Sequence, residues 1–147
     1  MKYHKNIIKI FSKVNKHLIE NNLQLIFVPS NRTPKEIITF AKEYFNKNRL
    51  IVETVDKKAY LSSLALSKYI VVTCDSSSMI SEAALTGKPV YVAMIPPKRN
   101  DKRFKKFRSL FEELNIIKEL GNDLTSWSYK SLDETNRVAL KIKEQLK

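Results

Sequence analysis

Apolar residues follow two different patterns along the chain, and the two patterns alternate. In some stretches they recur every three or four residues, which is the spacing of one face of an amphipathic helix. Between these stretches lie short, nearly continuous apolar runs, which are typical of strands buried on both faces of a parallel sheet. The predicted helices span residues 5–21, 34–45, 60–67, 77–86, 102–114 and 131–147. The predicted strands span residues 23–28, 49–54, 69–73 and 89–95, with a short edge strand beginning at Ile116-Ile117.

This alternation predicts an α/β fold with a Rossmann-like, doubly wound parallel sheet that is covered by helices on both faces. A chain of 147 residues can bury a substantial core, so we expect residues 1–147 to form a single domain. Local signals agree with the helix boundaries. Thr33 and Glu36 form a capping-box pattern around Pro34, and Gly87 follows the fourth predicted helix.

Helical spacing also predicts which side of a helix is buried. On the third predicted helix, the residues expected to face inward are Tyr60, Leu61, Leu64 and Ala65. On the fifth, aromatic and leucine residues form the inner face, and the outer face is basic. Its basic residues are Lys102, Arg103, Lys105, Lys106 and Arg108. This outer face is either simply solvated or a contact surface for an anionic membrane or acceptor.

Two polar turns follow predicted strands at their carboxyl ends, where open α/β sheets bind ligands. The first is Ser30-Asn31-Arg32 and the second is Asp75-Ser76-Ser77-Ser78, which opens a helix. Hydroxyl groups and free backbone N–H groups at a helix start suit phosphate oxygens. A cap needs only one serine, so three in succession favour phosphate binding over capping alone. Asp75 either binds a hydroxyl group or orients the serine turn, and the residues leave both open.

Glu82 lies four residues after Ser78 and therefore on the same helix face. The residue three positions before Glu82 is Met79, which cannot cap, so a capping box does not explain this glutamate. A carboxylate next to a phosphate site would repel the phosphate unless it accepted hydrogen bonds from hydroxyl groups, such as those of a ribose diol. The alternative is that Glu82 is a solvated glutamate on the helix surface. Arg32 can pair with phosphate oxygens through its guanidinium group, and the alternative is an ordinary surface arginine.

Composition narrows the function classes. With only two glycines, the chain has neither a G-x-G-x-x-G nor a P-loop motif. The formal charge of +12 favours an anionic ligand, a membrane surface or nucleic acid, although lysine-rich chains also occur in AT-rich genomes. Scattered aromatic residues and the lack of a known motif argue against nucleic acid. The single cysteine, Cys74, is typical of a reducing compartment, and His4 and His17 have no partners at metal-site spacing, so we expect no metal.

No apolar run reaches the length of about 18 residues that spans a membrane, and the basic N-terminus lacks a cleavage signature. We therefore expect a cytoplasmic protein. Peripheral contact with the inner face of the membrane is left open.

Several motifs resemble one family. The segment Val72-Thr-x-Asp-Ser-x-Ser-Met-x-Ser-Glu-Ala, followed by Thr86-Gly-Lys-Pro-Val-Tyr-Val92, resembles the signature of the elongated-mitochondria-like, mitochondrial-fission family. Ser30-x-Arg32-Thr33-Pro34 resembles the Ser-Arg-Arg-Thr-Pro loop of that family, with Asn31 in place of an arginine. The segment from Leu132 to Ala139 resembles its C-terminal helix. The resemblance covers nearly the whole chain.

The resemblance implies a GT-B glycosyltransferase fold, and the matching segments are those of its C-terminal, donor-binding half. Carried over, the nucleotide-sugar-binding residues are Ser30, Arg32, Asp75, Ser76, Ser77, Ser78 and Glu82. The donor is then a nucleoside-diphosphate sugar, with no cofactor and no metal, in cell-envelope glycan or lipopolysaccharide assembly. The acceptor half and the catalytic base are expected in a missing N-terminal domain or a partner chain, so this chain alone is expected to be inactive. The alternative is a non-catalytic, membrane-associated interaction module.

Overall fold

The computed structural model describes residues 2–73, 77–94, 102–121 and 123–129, and the side chains of residues 2–4, 77, 103 and 104 lie outside that description. The helices are α1 (Lys2–Glu20), α2 (Lys35–Tyr44), α3 (Lys57–Leu66), α4 (Ser77–Ala84) and α5 (Lys102–Glu113). The strands are β1 (Leu25–Phe27), β2 (Arg49–Ile51), β3 (Ile70–Thr73), β4 (Val90–Ala93) and β5 (Ile117–Glu119). The predicted final helix at residues 131–147 lies outside the described residues.

All strand pairs in the described part of the chain are parallel. β1 pairs with β2, and β4 lies between β3 and β5 in a second sheet. Each pair is connected through a helix, as parallel strands require. The predicted α/β fold with parallel strands is confirmed, and so is the short edge strand after Ile116, since β5 lies at the edge of its sheet.

The chain divides into two compact units, one with α1 to α3 and the other with β3 to β5 and residues 125–129. The expectation of a single domain over residues 1–147 stays a prediction.

The core of the first unit lies around Phe11 of α1. Its ring contacts four other aromatic rings, with centroid distances of 5.0 to 6.3 Å. The buried residues of this core are Ile7, Phe11, Ile37, Ala41, Phe45 and Ile51. α1 ends at Glu20, after which Asn22 adopts a φ of +52° and the N–H of Leu23 donates to the carbonyl of Leu18 at 2.9 Å. Asparagine tolerates this left-handed conformation better than most residues.

The core of the second unit is built around β4, whose four residues are all buried. α4 contributes Ile80, Ala83 and Ala84, and α5 contributes Phe107 and Phe111, whose rings lie 4.4 Å apart. The continuous apolar run that predicted this strand therefore reflects burial on both faces.

Two predicted helix faces are wrong in part. On α3, Tyr60 and Leu64 are half-buried as predicted, but Leu61 and Ala65 are exposed, and Ala59 and Ser63 complete the half-buried side instead. On α5, Arg108 is not on the outer face but is only 7% exposed. It lies next to Phe107 in sequence and one turn before Phe111, so it borders the buried side.

Candidate functional site

The polar turn after β1 is closed by its own hydrogen bonds. The N–H of Ser30 donates to Thr33 Oγ1 at 2.9 Å, and the N–H of Thr33 donates to the carbonyl of Ser30 at 3.0 Å. The two hydroxyl oxygens are 3.2 Å apart, and Ser30 Oγ accepts from the N–H of Arg32 at 3.3 Å. The Ser30 hydroxyl therefore fixes the backbone that presents Arg32, whose side chain is exposed.

This turn corrects the predicted capping box. α2 begins at Lys35 with Pro34 in the cap position, and no side chain caps it. Thr33 is the wrong cap because its hydroxyl group is used one turn earlier, on Ser30. Glu36 does lie in the first turn, where a negative charge is favourable.

The serine-rich turn leads directly into α4, which begins at Ser77. Because β3 and β4 are parallel and α4 connects them, the start of α4 lies at the carboxyl edge of the second sheet. Ser78 and Glu82 are both exposed, one helical turn apart. Asp75 and Ser76 lie outside the described residues, as does the side chain of Ser77.

Ser78 and Glu82 occupy the side of α4 that is opposite to its buried residues, Ile80, Ala83 and Ala84. Within the described part of the chain, neither side chain forms a hydrogen bond or an ion pair. A serine hydroxyl and a carboxylate are thus presented together to solvent, at the edge of the sheet where such folds bind ligands.

The exit from α4 is fixed by a second local network. Thr86 Oγ1 donates to the carbonyl of Ala83 at 2.6 Å and accepts from the N–H of Lys88 at 3.1 Å. Gly87 adopts a φ of +72° in the turn that follows the helix. α4 itself ends at Ala84, two residues before the predicted end at Thr86. The chain then enters β4 at Val90, so the carboxyl end of α4 is held relative to the strand that follows it.

Residues 125–129, here called the strap, cross the opposite edge of the sheet. Tyr69, just before β3, lies 3.0 Å from Ser126 through their hydroxyl oxygens. The indole of Trp127 donates to the carbonyl of Asn115, just before β5, at 2.9 Å. Tyr129 donates to the carbonyl of Lys88, just before β4, at 2.6 Å.

These residues carry neither a helix nor a strand pattern, so the sequence predicts only a loop here and not the strap. The signal that could have indicated it is the closely spaced pair of aromatic residues, Trp127 and Tyr129, in a polar stretch. Burial raises the pKa of Tyr129 to about 12, and a hydrogen bond with the Thr86 side chain acts in the opposite direction. The strap thus contacts the sheet at the amino ends of its strands, on the side opposite to the start of α4.

A different charged surface lies on α5. Among its described side chains, Lys102, Lys105 and Lys106 are exposed and point away from Phe107 and Phe111. The side chain of Arg103 lies outside the described residues. In the described part of the chain, no helix is long and apolar enough to cross a membrane.

Parallel strands with connecting helices, and a serine-rich helix start at their carboxyl edge, define an α/β protein of Rossmann-like type. The family profile of mitochondrial fission ELM1 proteins matches residues 2–146, so the chain belongs to that family. This confirms the family part of the resemblance stated above.

The sequence is also similar to two curated proteins. The chain is 33% identical over 153 residues to uncharacterized protein RP120 of Rickettsia prowazekii, covering 99% of this chain and 43% of the relative. It is 31% identical over 122 residues to mitochondrial fission protein ELM1 of Arabidopsis thaliana, covering 80% of this chain and 28% of the relative. The chain therefore spans less than half the length of these curated relatives. No solved structure matches it.

Proposed function

We propose that this chain is the donor-binding half of a GT-B-type glycosyltransferase and that it binds a nucleoside-diphosphate sugar. The observation that carries the proposal is the exposed pair of Ser78 and Glu82 on α4, at the carboxyl edge of the second sheet. Neither helix capping nor an ion pair with a described residue accounts for Glu82.

The two groups suit two parts of one nucleotide. In the proposed complex, the first-turn N–H groups of α4 and the hydroxyl of Ser78 hold the diphosphate, because a helix start carries partial positive charge. Glu82 lies one turn further along, about 6 Å at 1.5 Å per residue. Its carboxylate accepts hydrogen bonds from the ribose diol, which keeps its negative charge directed at hydroxyl groups rather than at phosphate.

Five further residues were predicted to bind the nucleotide sugar, and the proposal keeps them without assigning a geometry to their contacts. Asp75, Ser76 and Ser77 complete the turn that receives the diphosphate. Ser30 and Arg32 lie in the first unit, and their part in donor binding stays a prediction.

In this proposal, the chain supplies neither the acceptor site nor the catalytic base that sugar transfer needs. The acceptor site and the catalytic base come from an N-terminal half or a partner chain, so the isolated chain binds the donor but transfers little or no sugar. The role of the donor half is to orient the anomeric carbon and to stabilise the diphosphate as it leaves.

Isothermal titration of the purified chain with UDP-, GDP- and ADP-sugars tests the proposal, and CMP-sugars, which carry only one phosphate, are the comparison that should bind more weakly. We expect one nucleotide class to bind, and we expect Glu82→Gln to weaken that binding about 10- to 100-fold, since a hydrogen bond to a charged group contributes about 1.5–3 kcal/mol. Glu113→Gln, an exposed glutamate on α5, is the matched control and should bind as the wild type does.

The ribose assignment has its own test. A nucleoside diphosphate that lacks the ribose 2′- and 3′-hydroxyls should bind the wild type and Glu82→Gln equally, because the partner of the carboxylate is then absent. If a folded sample binds no member of the panel, the proposal is wrong and a non-catalytic module is favoured.

A further inference from the structure

The exposed face of α5 concentrates positive charge in little more than one turn. Lys102, Lys105 and Lys106, here called the lysine face, lie within about 6 Å along the helix axis at 1.5 Å per residue. The other described exposed residues of this helix are Ser109, Glu112 and Glu113, so the described part of the face is entirely polar.

Helix stability does not explain this arrangement. The lysines lie in the first turns of α5, near its positive end, and the glutamates lie in its last turn, near its negative end. Both placements oppose the helix macrodipole, and each such charge costs a few tenths of a kcal/mol to about 1 kcal/mol. Charges placed to complement the helix macrodipole would run in the reverse order, with glutamates first and lysines last.

The position of the lysine face in the fold adds a second argument. α5 connects β4 to β5, which are parallel, so its first turn lies toward the carboxyl edge of the second sheet. The start of α4, with Ser78, lies at the same edge for the same reason. The positive charges are therefore on the side of the sheet opposite to the strap.

We infer that the lysine face binds the anionic phospholipid headgroups of a membrane and docks the carboxyl edge of the second sheet against it. This inference does not depend on the proposed donor function. Lysine ammonium groups are point charges on flexible stems, which match a laterally continuous anionic surface better than a ligand of fixed geometry. The absence of exposed apolar residues on the described part of the face indicates electrostatic docking without insertion of a side chain into the acyl region.

Single-stranded nucleic acid is the competing polyanion, and the same face fits it less well. Proteins that bind single strands combine basic residues with exposed aromatic rings on which bases stack. The described aromatic residues of α5, Phe107 and Phe111, are at most 1% exposed and cannot serve as stacking platforms.

Vesicle co-sedimentation of the full chain tests the inference. The probes are vesicles of phosphatidylcholine alone and vesicles of phosphatidylcholine mixed with phosphatidylglycerol. We expect binding only to the mixed vesicles, and we expect it to weaken as salt rises, because exposed charges are screened beyond about 10 Å at 0.1 M ionic strength. Lys102→Gln/Lys105→Gln/Lys106→Gln should weaken binding about 100-fold, since each lysine near an anionic surface contributes about 1 kcal/mol, or about fivefold.

A second triple variant controls for net charge. Lys5, Lys9 and Lys13 are exposed on α1 and spread over about 12 Å of helix axis. Their replacement by glutamine removes the same charge and should leave vesicle binding within about fivefold of wild type, the contribution of about one lysine. Far-ultraviolet circular dichroism, whose helical signal comes from both units, reports whether each variant is folded.

Three results would overturn the inference. The first is unchanged vesicle binding by the α5 variant or by the milder Lys105→Gln/Lys106→Gln. The second is an equal loss in the α1 variant, which would show that net charge alone is responsible. The third is tighter binding of a single-stranded oligonucleotide than of the mixed vesicles at the same salt concentration.

Discussion

The phenol of Tyr91 forms a two-way hydrogen bond with the backbone of Thr125. The N–H of Thr125 donates to the phenol oxygen at 2.7 Å, and the phenol donates to the carbonyl of Thr125 at 3.0 Å. Tyr91 lies in the central strand β4 and is 2% exposed. Trp127 meets its ring edge-on at 5.2 Å, and the ammonium group of Lys118 lies 4.4 Å from the Trp127 centroid. This residue pair therefore attaches the strap to the middle of the sheet.

Replacing Tyr91 by phenylalanine should lower the free energy of unfolding by about 1–2 kcal/mol. The ring remains, so the loss is that of the hydrogen bonds, and the N–H and carbonyl of Thr125 are left without their partner. Urea unfolding followed by far-ultraviolet circular dichroism measures the change, because the helices that give this signal lie in both units. Tyr44→Phe, in the first unit, is the matched control, because no hydrogen bond of its hydroxyl group is found among the described residues. An equal loss in both variants would show that the bond to Thr125 contributes nothing.

Tyr129 should titrate late. Burial raises its pKa from 10.0 to about 12, so the folded protein holds this proton where the unfolded chain releases it. The contribution of Tyr129 to stability is therefore complete below pH 10 and is lost as the pH rises through about 12. A pH titration that follows phenolate absorbance counts the tyrosines that ionise near pH 12. Tyr129→Phe should show one fewer of them than the wild type.

The stability of the same variant gives the second readout. Between pH 10 and about 12, the wild type should lose more stability than Tyr129→Phe, because only the wild type has this group to ionise on unfolding. Parallel stability curves for the two proteins across this window would contradict the raised pKa.

Sequence patterns predicted the class of the fold because burial leaves a direct trace in composition. The apolar run around β4 predicted a strand covered on both faces, and the spacing on α5 predicted an aromatic inner face, where Phe107 and Phe111 are buried. Strand lengths were predicted less well. The run at residues 23–28 contains only Leu25–Phe27 as paired strand, because its partner β2 offers three residues for pairing. Apolar runs indicate burial, whereas strand ends depend on the partner.

The candidate site was predicted in part, because the helical repeat fixes which residues share one face of a helix. The helical repeat alone places Ser78 and Glu82 on one face, and the structure has them so. The bonding of Thr33 could not be predicted, because its hydroxyl group can serve either the following helix or the preceding turn, and the local backbone decides between them. Arg108 was misplaced because it borders the buried face, where one helical step decides whether a residue is exposed or buried.

Gly87→Ala should destabilise the protein by about 1 kcal/mol through the backbone alone. A Cβ at this position would meet no atom within 4 Å, but the φ of +72° is one that residues with a side chain rarely adopt. Gly121→Ala is the matched control, because its φ is ordinary and its Cβ would only reach the carbonyl of Glu119 at 4.0 Å. Thermal unfolding should therefore separate the two variants, and an equal effect would show that the conformation of Gly87 is not the cause.

Phe11→Ala should be the most destabilising of these changes, by about 3–5 kcal/mol, because it leaves a cavity between the rings that surround Phe11. The neighbouring rings are Phe27, Phe40, Tyr44 and Phe45. Ile8→Ala on the same helix is the control: Ile8 is 44% exposed, so its loss should cost under about 1 kcal/mol. Chemical unfolding followed by far-ultraviolet circular dichroism measures both. Should Phe11→Ala fail to fold, Phe11→Leu keeps most of the volume and should still lose more than Ile8→Ala; equal losses would mean that Phe11 does not organise this core.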